Sequence, residues 1–341
     1  MVAMLVRFAV RRSLNDTRHV RVVKRRHADG LVAEVYRQVE RDFRMLAPPV
    51  ALHSAAPDTL AASWMILRET LLADGVADRV SKEAVATGVS LANSCPYCAD
   101  VHGMTLDAIP DTGERAAHEE WARAAATAAP VVPPFPPERA SELVGVAVAF
   151  HYYNRMVNVF LTESPFPSHV PASAKPKARK VLGGVLRPGG GARPGESVDL
   201  LPAVPPPADL GWSRSNGVVA DTFARAYAAV DAAGARSVPA GVRALVHSRL
   251  STWDGQAPGI SRSWVDEPVA GLPEADRAAG RLAMVIAFSS YQVDEAMVAE
   301  FRRTAPGDDT LVELAAWASM AAARRISTWL GAAGEARQEA A

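Results

Sequence analysis

The stretch Ser90-Leu91-Ala92-Asn93-Ser94-Cys95-Pro96-Tyr97-Cys98-Ala99-Asp100-Val101-His102 decides how this chain is read. Asn93 and Ser94 interrupt one helix, and either can cap another that opens at Cys95. Pro96 then falls in the first turn, where a missing N–H does no harm. Cys98 and His102 stand four apart and share a face of the new helix. These two cysteines are the only ones in the chain, and they lie too close together to staple distant parts of a secreted fold. The pair points to chemistry rather than architecture.

Outward from this stretch the pattern stays helical. Upstream, Leu31, Val35, Val39 and Phe43 recur every four positions, and Tyr36 and Leu46 extend that face, which predicts a helix over 31–46. Asp58 after Pro57 is the expected N-cap of a second helix through Leu60, Trp64, Leu67 and Leu71, closed by Gly75. A third runs from Ser81 to Ala92. Downstream, helices are expected from Glu114 to Ala128 and from Glu138 to Leu161, and nothing alternates as a strand. Residues 164–208, with the run Pro205-Pro206-Pro207 and Gly189-Gly190-Gly191, read as a linker or extended arm. Helices resume over Ser215 to Ala233, Pro239 to Thr252, Pro273 to Tyr291, Asp294 to Arg303 and Asp309 to Leu330.

The expected organisation is therefore all-α in four parts: a basic arm over 1–30, a helical domain over 31–163, the linker over 164–208, and a second helical domain over 209–341 without cysteines. The second domain reads as a worn copy of the first. Ser237 to Val246 can be laid on Arg79 to Gly88, and Arg325 and Trp329 fall opposite Arg155 and Val159. An insertion expected as loop spans Trp253 to Leu272. In this register Gly241 stands where Glu83 would be and Trp253 where Cys95 would be, so the second copy is expected to be inert and to act as a packing partner.

Charge narrows the partners. Acidic and basic residues number 37 each, so the chain as a whole has no general attraction for nucleic acid or anionic membranes. The basic run Arg18, Arg21, Lys24, Arg25, Arg26 reads as a solvated, poorly ordered arm. Arg7, Arg11 and Arg12 cut short the apolar start, and no later segment offers the roughly eighteen apolar residues of a membrane helix. A soluble cytoplasmic protein is expected.

A thiol attacks peroxides or disulfides only as thiolate, so a reactive cysteine needs surroundings that lower its pKa. The helix N-terminus near both sulfurs supplies one such influence. His102 can take the thiol proton, and Glu83, from the preceding helix, can hold the imidazole in the right tautomer. Cys98 is assigned the attacking role because it has the histidine at helical spacing. Cys95, at the more open helix start, is assigned the resolving role. Attack on a peroxide makes Cys98 a sulfenic acid, Cys95 condenses with it, and an external dithiol reopens the disulfide.

The pattern of Glu83, eleven residues, Cys95, two residues, Cys98, three residues and His102 resembles the alkylhydroperoxidase D (AhpD-like) branch of the carboxymuconolactone decarboxylase superfamily. The resemblance covers about Leu31 to Leu161, with a faint second copy over about Ser215 to Leu330. It implies an all-α AhpD-like fold, here in tandem, with assembly into trimers or related homo-oligomers. It also implies activity on hydrogen peroxide or organic hydroperoxides through these four residues, with no bound cofactor, and with reducing equivalents from a dithiol or a lipoylated protein.

Rival readings use the same residues. One is a general dithiol-disulfide oxidoreductase, and another a non-catalytic structural or interaction module. The decarboxylase branch of the superfamily is less favoured because its chemistry needs no cysteine pair. Two cysteines, a histidine and a carboxylate could also hold zinc, although three of them crowd one short helical stretch. The cluster His151, Tyr152, Tyr153, Asn154 and Arg155 is expected to pack near the site, with Arg155 free to pair with a carboxylate. The tryptophans Trp212, Trp253, Trp264, Trp317 and Trp329 suit a packed interface.

Overall fold

The computed structural model describes residues 17–166, 179, 182–184 and 191–338, with side chains as far as Leu330. Met4 to Arg12 and most of the proline- and glycine-rich stretch lie outside the described residues. Among those described, the secondary structure is helical, with no strand. The longer helices are α1 (Gly30–Phe43), α2 (Pro57–Leu67), α3 (Arg79–Ala92), α4 (Pro96–Asp107), α5 (Arg115–Ala124) and α6 (Pro137–Phe160). They continue as α7 (Gly217–Ser237), α8 (Ala240–Ser251), α9 (Arg277–Ser289), α10 (Glu295–Arg302) and α11 (Asp308–Gln338).

Helix starts follow local chemistry, with shifts of one or two residues. Asp78, rather than a residue nearer Ser81, caps α3 by accepting the Ser81 N–H at 2.8 Å. Pro57 is the first residue of α2 and Asp58 lies in its first turn instead of capping it, where its charge suits the helix dipole. The helix does not run on smoothly to Gly75: Arg68–Leu72 widen into a π-helical turn. The expected loop over 253–272 holds short helical pieces at Arg262–Val265 and Asp266–Ala270.

One large hydrophobic cluster runs from Val20 to Leu330 and draws on both halves of the chain, and a small one of Val80, Ala84 and Leu106 lies between α3 and α4. The long helix of one half packs along the long helix of the other, α6 on α11, and α2 lies on α7 in the same way. Polar ties cross the same boundary: Trp329 Nε1 donates to Ala125 O at 3.0 Å, Ala128 N to Asp254 O at 2.7 Å, and Asn158 Nδ2 to Ser290 Oγ at 3.0 Å. Trp253 and Trp329 sit at this boundary, as expected of them.

Two segments read as loose are docked. From Thr17 onward the basic arm lies on the core: Val20 is buried, Arg18 N donates to Phe160 O at 2.7 Å, and the Tyr36 hydroxyl donates to Val23 O at 2.9 Å. The alternation of arginines with Val20, Val22 and Val23 hides an apolar seam that the charge run obscures. In the stretch read as linker, Gly195 N and the Ser197 N and Oγ donate to the buried Glu69 carboxylate at 2.7, 3.1 and 2.6 Å. Arg68, fully buried, bonds Asp42, Glu69 and Glu196 around the same π-helical turn.

The helix break between α3 and α4 has a likeness in the second half in α9, the short turn Ser290–Gln292 and α10, although α5 stands between α4 and the long α6 whereas α10 leads directly to the long α11. Gly241, laid on Glu83 by sequence, sits at the start of α8. Arg281 in α9 and Glu300 in α10 face one another at 4.0 Å, at the same nineteen-residue separation as Glu83 and His102. Short, alanine-rich helical stretches can be aligned in more than one register, and only packing decides between them.

Candidate active site

α3 and α4 carry the site. They meet at a sharp break in which Ser94 adopts a left-handed conformation (φ 49°) and Cys95, not Asn93 or Ser94, becomes the N-cap of α4. Cys95 makes no side-chain capping bond, so this helix start goes without the stabilisation of about 1 kcal/mol that a polar cap supplies. Pro96 occupies the first helical position. Gly88 lets α5 press against the back of α3, since a Cβ there would lie 2.3 Å from Glu119 O.

The structure brings all four expected residues together. His102 Nδ1 lies 2.6 Å from Glu83 Oε2, and Glu83 Oε1 accepts two bonds from Arg79, at 2.8 and 2.6 Å. Burial pushes the Glu83 carboxyl up, but Arg79 and His102 outweigh it, so its pKa lies below the usual value and the group is ionised at neutral pH. An ionised carboxylate only accepts, so the Nδ1–H of His102 is the donor in this contact. Phe150 meets the ring edge-on at a centroid distance of 4.6 Å and fixes its plane.

Both sulfurs are buried, Cys95 at 1 % and Cys98 at 3 % exposure. The thiol chemistry departs from expectation. Burial pushes the Cys98 pKa well up, the adjacent Cys95 thiol pushes it further, and only Asn154, hydrogen-bonded to the sulfur, pulls the other way. The resting Cys98 is therefore a thiol. A helix N-terminus that lowers a pKa at a surface is overridden here by desolvation.

Asn154 is held by a buried polar chain. It donates to Ser90 Oγ at 3.0 Å and accepts from Asn93 Nδ2 at 3.1 Å, and Asn93 Nδ2 also lies 3.0 Å from His151 Nδ1. The polar cluster expected near the site is thus partly in it. Arg155 pairs with no carboxylate, however; its bonds go to Ala287 O, His151 O and Asn93 Oδ1.

Cys98 and His102 open onto an enclosed cavity of about 90 Å³, and Cys95 does not line it. The walls are mainly apolar and include Phe43, Leu67, Leu71, Tyr97 and Phe150. Pro165 and Leu182, from the stretch read as linker, complete them. Sequence reasoning missed Arg79, although its position four residues before Glu83 is a helical ion-pair signal. It also missed Leu182, for which no local signal exists. Both oxygens of Glu83 are engaged, one by Arg79 and the other by His102.

Among the described residues no helix is long and apolar enough to cross a membrane. A helical scaffold that buries a CxxC helix start beside a Glu–His pair defines a class, and comparison with known proteins supplies its name: the chain belongs to the carboxymuconolactone decarboxylase family, which residues 58–132 match, and to its AhpD-like branch. It is similar to the alkyl hydroperoxide reductase Rv2159c of Mycobacterium tuberculosis (strain ATCC 25618 / H37Rv), at 35 % identity over 338 residues, which covers 93 % of this chain and 96 % of the relative. No solved structure matches the chain.

Proposed function

We propose that this protein is a cysteine-based reductase of small organic hydroperoxides. The observation that carries the reading is the apolar cavity onto which Cys98 and His102 open while Cys95 stays behind the wall. A cavity of about 90 Å³ with mainly apolar walls admits only a small molecule. That suits a peroxide group with a short alkyl body better than a protein disulfide, which cannot reach sulfurs this deeply buried. The name of the mycobacterial relative supports the same activity.

Because the resting thiol is protonated, its proton must leave as the substrate engages. His102 Nε2 takes the proton from Cys98, and Glu83 stabilises the imidazolium that forms. The sulfur attacks the distal peroxide oxygen, the O–O bond breaks, and the alkoxide takes up the proton to leave as alcohol. Cys98 is now a sulfenic acid. The Cys95 sulfur attacks Cys98 Sγ, the hydroxyl leaves as water with the Cys95 thiol proton, and a Cys95–Cys98 disulfide remains. An external dithiol, of which a lipoyl group is one, returns two electrons and two protons.

Stopped-flow oxidation of the reduced protein by tert-butyl hydroperoxide tests this. The expected result is thiol loss on the order of 100-fold faster than for free cysteine, abolished in Cys98→Ser, with sulfenic acid accumulating in Cys95→Ser. A rate no greater than that of free cysteine overturns the proposal.

A further inference from the structure

A second and larger opening, about 1000 Å³, lies between the two halves of the chain. Its walls come from the ends of α3, α5 and α9 and from the segment after α8, with Trp253, Phe288 and Tyr291 as its aromatic surface. Arg155 forms part of its floor at only 4 % exposure.

Arg155 is unusual among the buried charges of this protein. The other fully buried arginine, Arg68, is matched by Asp42, Glu69 and Glu196, and the half-exposed Arg324 by Asp209 and Asp231. Among the described residues Arg155 has only neutral partners. Nε donates to Ala287 O at 3.0 Å, Nη1 to His151 O at 2.7 Å and more weakly to Asn93 Oδ1 at 3.4 Å, and the Trp253 ring lies 5.9 Å from the guanidinium. Nη2 makes no hydrogen bond among the described residues, and the Arg155 side chain lines the crevice. Burial lowers the guanidinium pKa to about 10, which leaves it charged at neutral pH.

A desolvated cation without a counter-charge is costly, and an anion brought to it from solution recovers part of that cost. Glu119 and Glu120 reach only the α5 wall, where Arg123 accompanies them, and neither pairs with Arg155. One uncompensated cation calls for a single negative charge, and the aromatic wall for an apolar, planar body. We infer that this crevice binds a small aromatic carboxylate, with the carboxylate on Arg155 Nη2 and the ring system against Trp253, Phe288 and Tyr291. The site is separate from the cavity at Cys98 and does not depend on the chemistry there.

Isothermal titration of the full-length reduced protein with 2-naphthoate, 2-naphthamide and 2-naphthyl phosphate tests the inference. Saturable one-to-one binding of the naphthoate is expected, with the neutral amide and the phosphate each at least about 10-fold weaker. Arg155→Met should abolish naphthoate binding. Because that residue also ties α6 to α9, Ala257→Trp serves as a second variant: it fills the crevice from an exposed position, leaves Arg155 in place, and should weaken binding at least about 10-fold with an unchanged melting temperature. Absence of saturable naphthoate binding, equal binding of the amide or the phosphate, or full affinity in Ala257→Trp each overturns the assignment.

Discussion

The α3–α4 pair and the α9–α10 pair are each two helices joined at a short break, the first followed by α5 and the long α6 and the second directly by the long α11, yet they spend their helix start on different things. In the second pair Asp294 caps α10, accepting the Met297 N–H at 2.9 Å. In the first, the cap position holds Cys95, which accepts nothing there. The first pair buries a Glu–His couple between its helices, and the second carries Arg281 and Glu300 at 4.0 Å with both side chains partly exposed. A buried, desolvated site that gives up a cap is the mark of a region kept for chemistry; a capped, solvated one is kept for packing.

The largest expected effect that would break this comparison is on Cys98. Cys98→Ser should lower peroxide-driven oxidation by at least about 1000-fold, whereas no substitution confined to α10 should change that rate. Stopped-flow fluorescence measures both.

Next is an acid instability that belongs to the first half. His53 is fully buried, with its pKa brought down to about 4, and burial also holds His151 well below the usual range. Both are neutral in the fold and protonate more readily when unfolded. Below the unfolded value of about 6.5 the unfolded chain binds more protons, so stability falls as pH drops from about 6.5 toward 4. His53 alone should contribute a loss of about 3 kcal/mol over that window, and His53→Phe should flatten the curve in urea titrations at stepped pH. The only histidine after residue 208 is His247, which is exposed, and its replacement should change the profile much less.

Smaller again is Glu83→Gln. It keeps an acceptor for His102 Nδ1 but removes the charge that stabilises the imidazolium, so the peroxide rate should fall roughly 10- to 100-fold. Because the folded Glu83 pKa is lowered, its contribution to stability is present above the unfolded carboxyl value and is lost as pH falls through the folded value. The smallest effects concern the caps. Asp294→Ala should cost about 1 kcal/mol in urea unfolding and leave the peroxide rate unchanged, while Cys95→Ser should gain up to about 1 kcal/mol and block disulfide formation. A destabilised Cys95→Ser would mean that the cap is not what Cys95 displaces.

The helices and the four motif residues were legible in the sequence because they depend on short-range spacing: four residues from Cys98 to His102, and one helix break between Glu83 and Cys95. What escaped depends on residues far apart in the chain. The upward shift of the Cys98 thiol comes from burial by walls as distant as Phe43, Phe150 and Leu182, and no local pattern carries that. The docking of Gly195 and Ser197 on Glu69 was likewise hidden by a composition that reads as linker.

Pro165 and Leu182 stand in the wall of the cavity at Cys98, but they come from the stretch whose composition reads as linker. The shape of the chamber is thereby uncoupled from the motif. Residues can be exchanged here, widening or narrowing the chamber, without touching the sulfurs or the Glu83–His102 pair. For an engineer, the same stretch is where the chamber can be recut while the motif stays fixed.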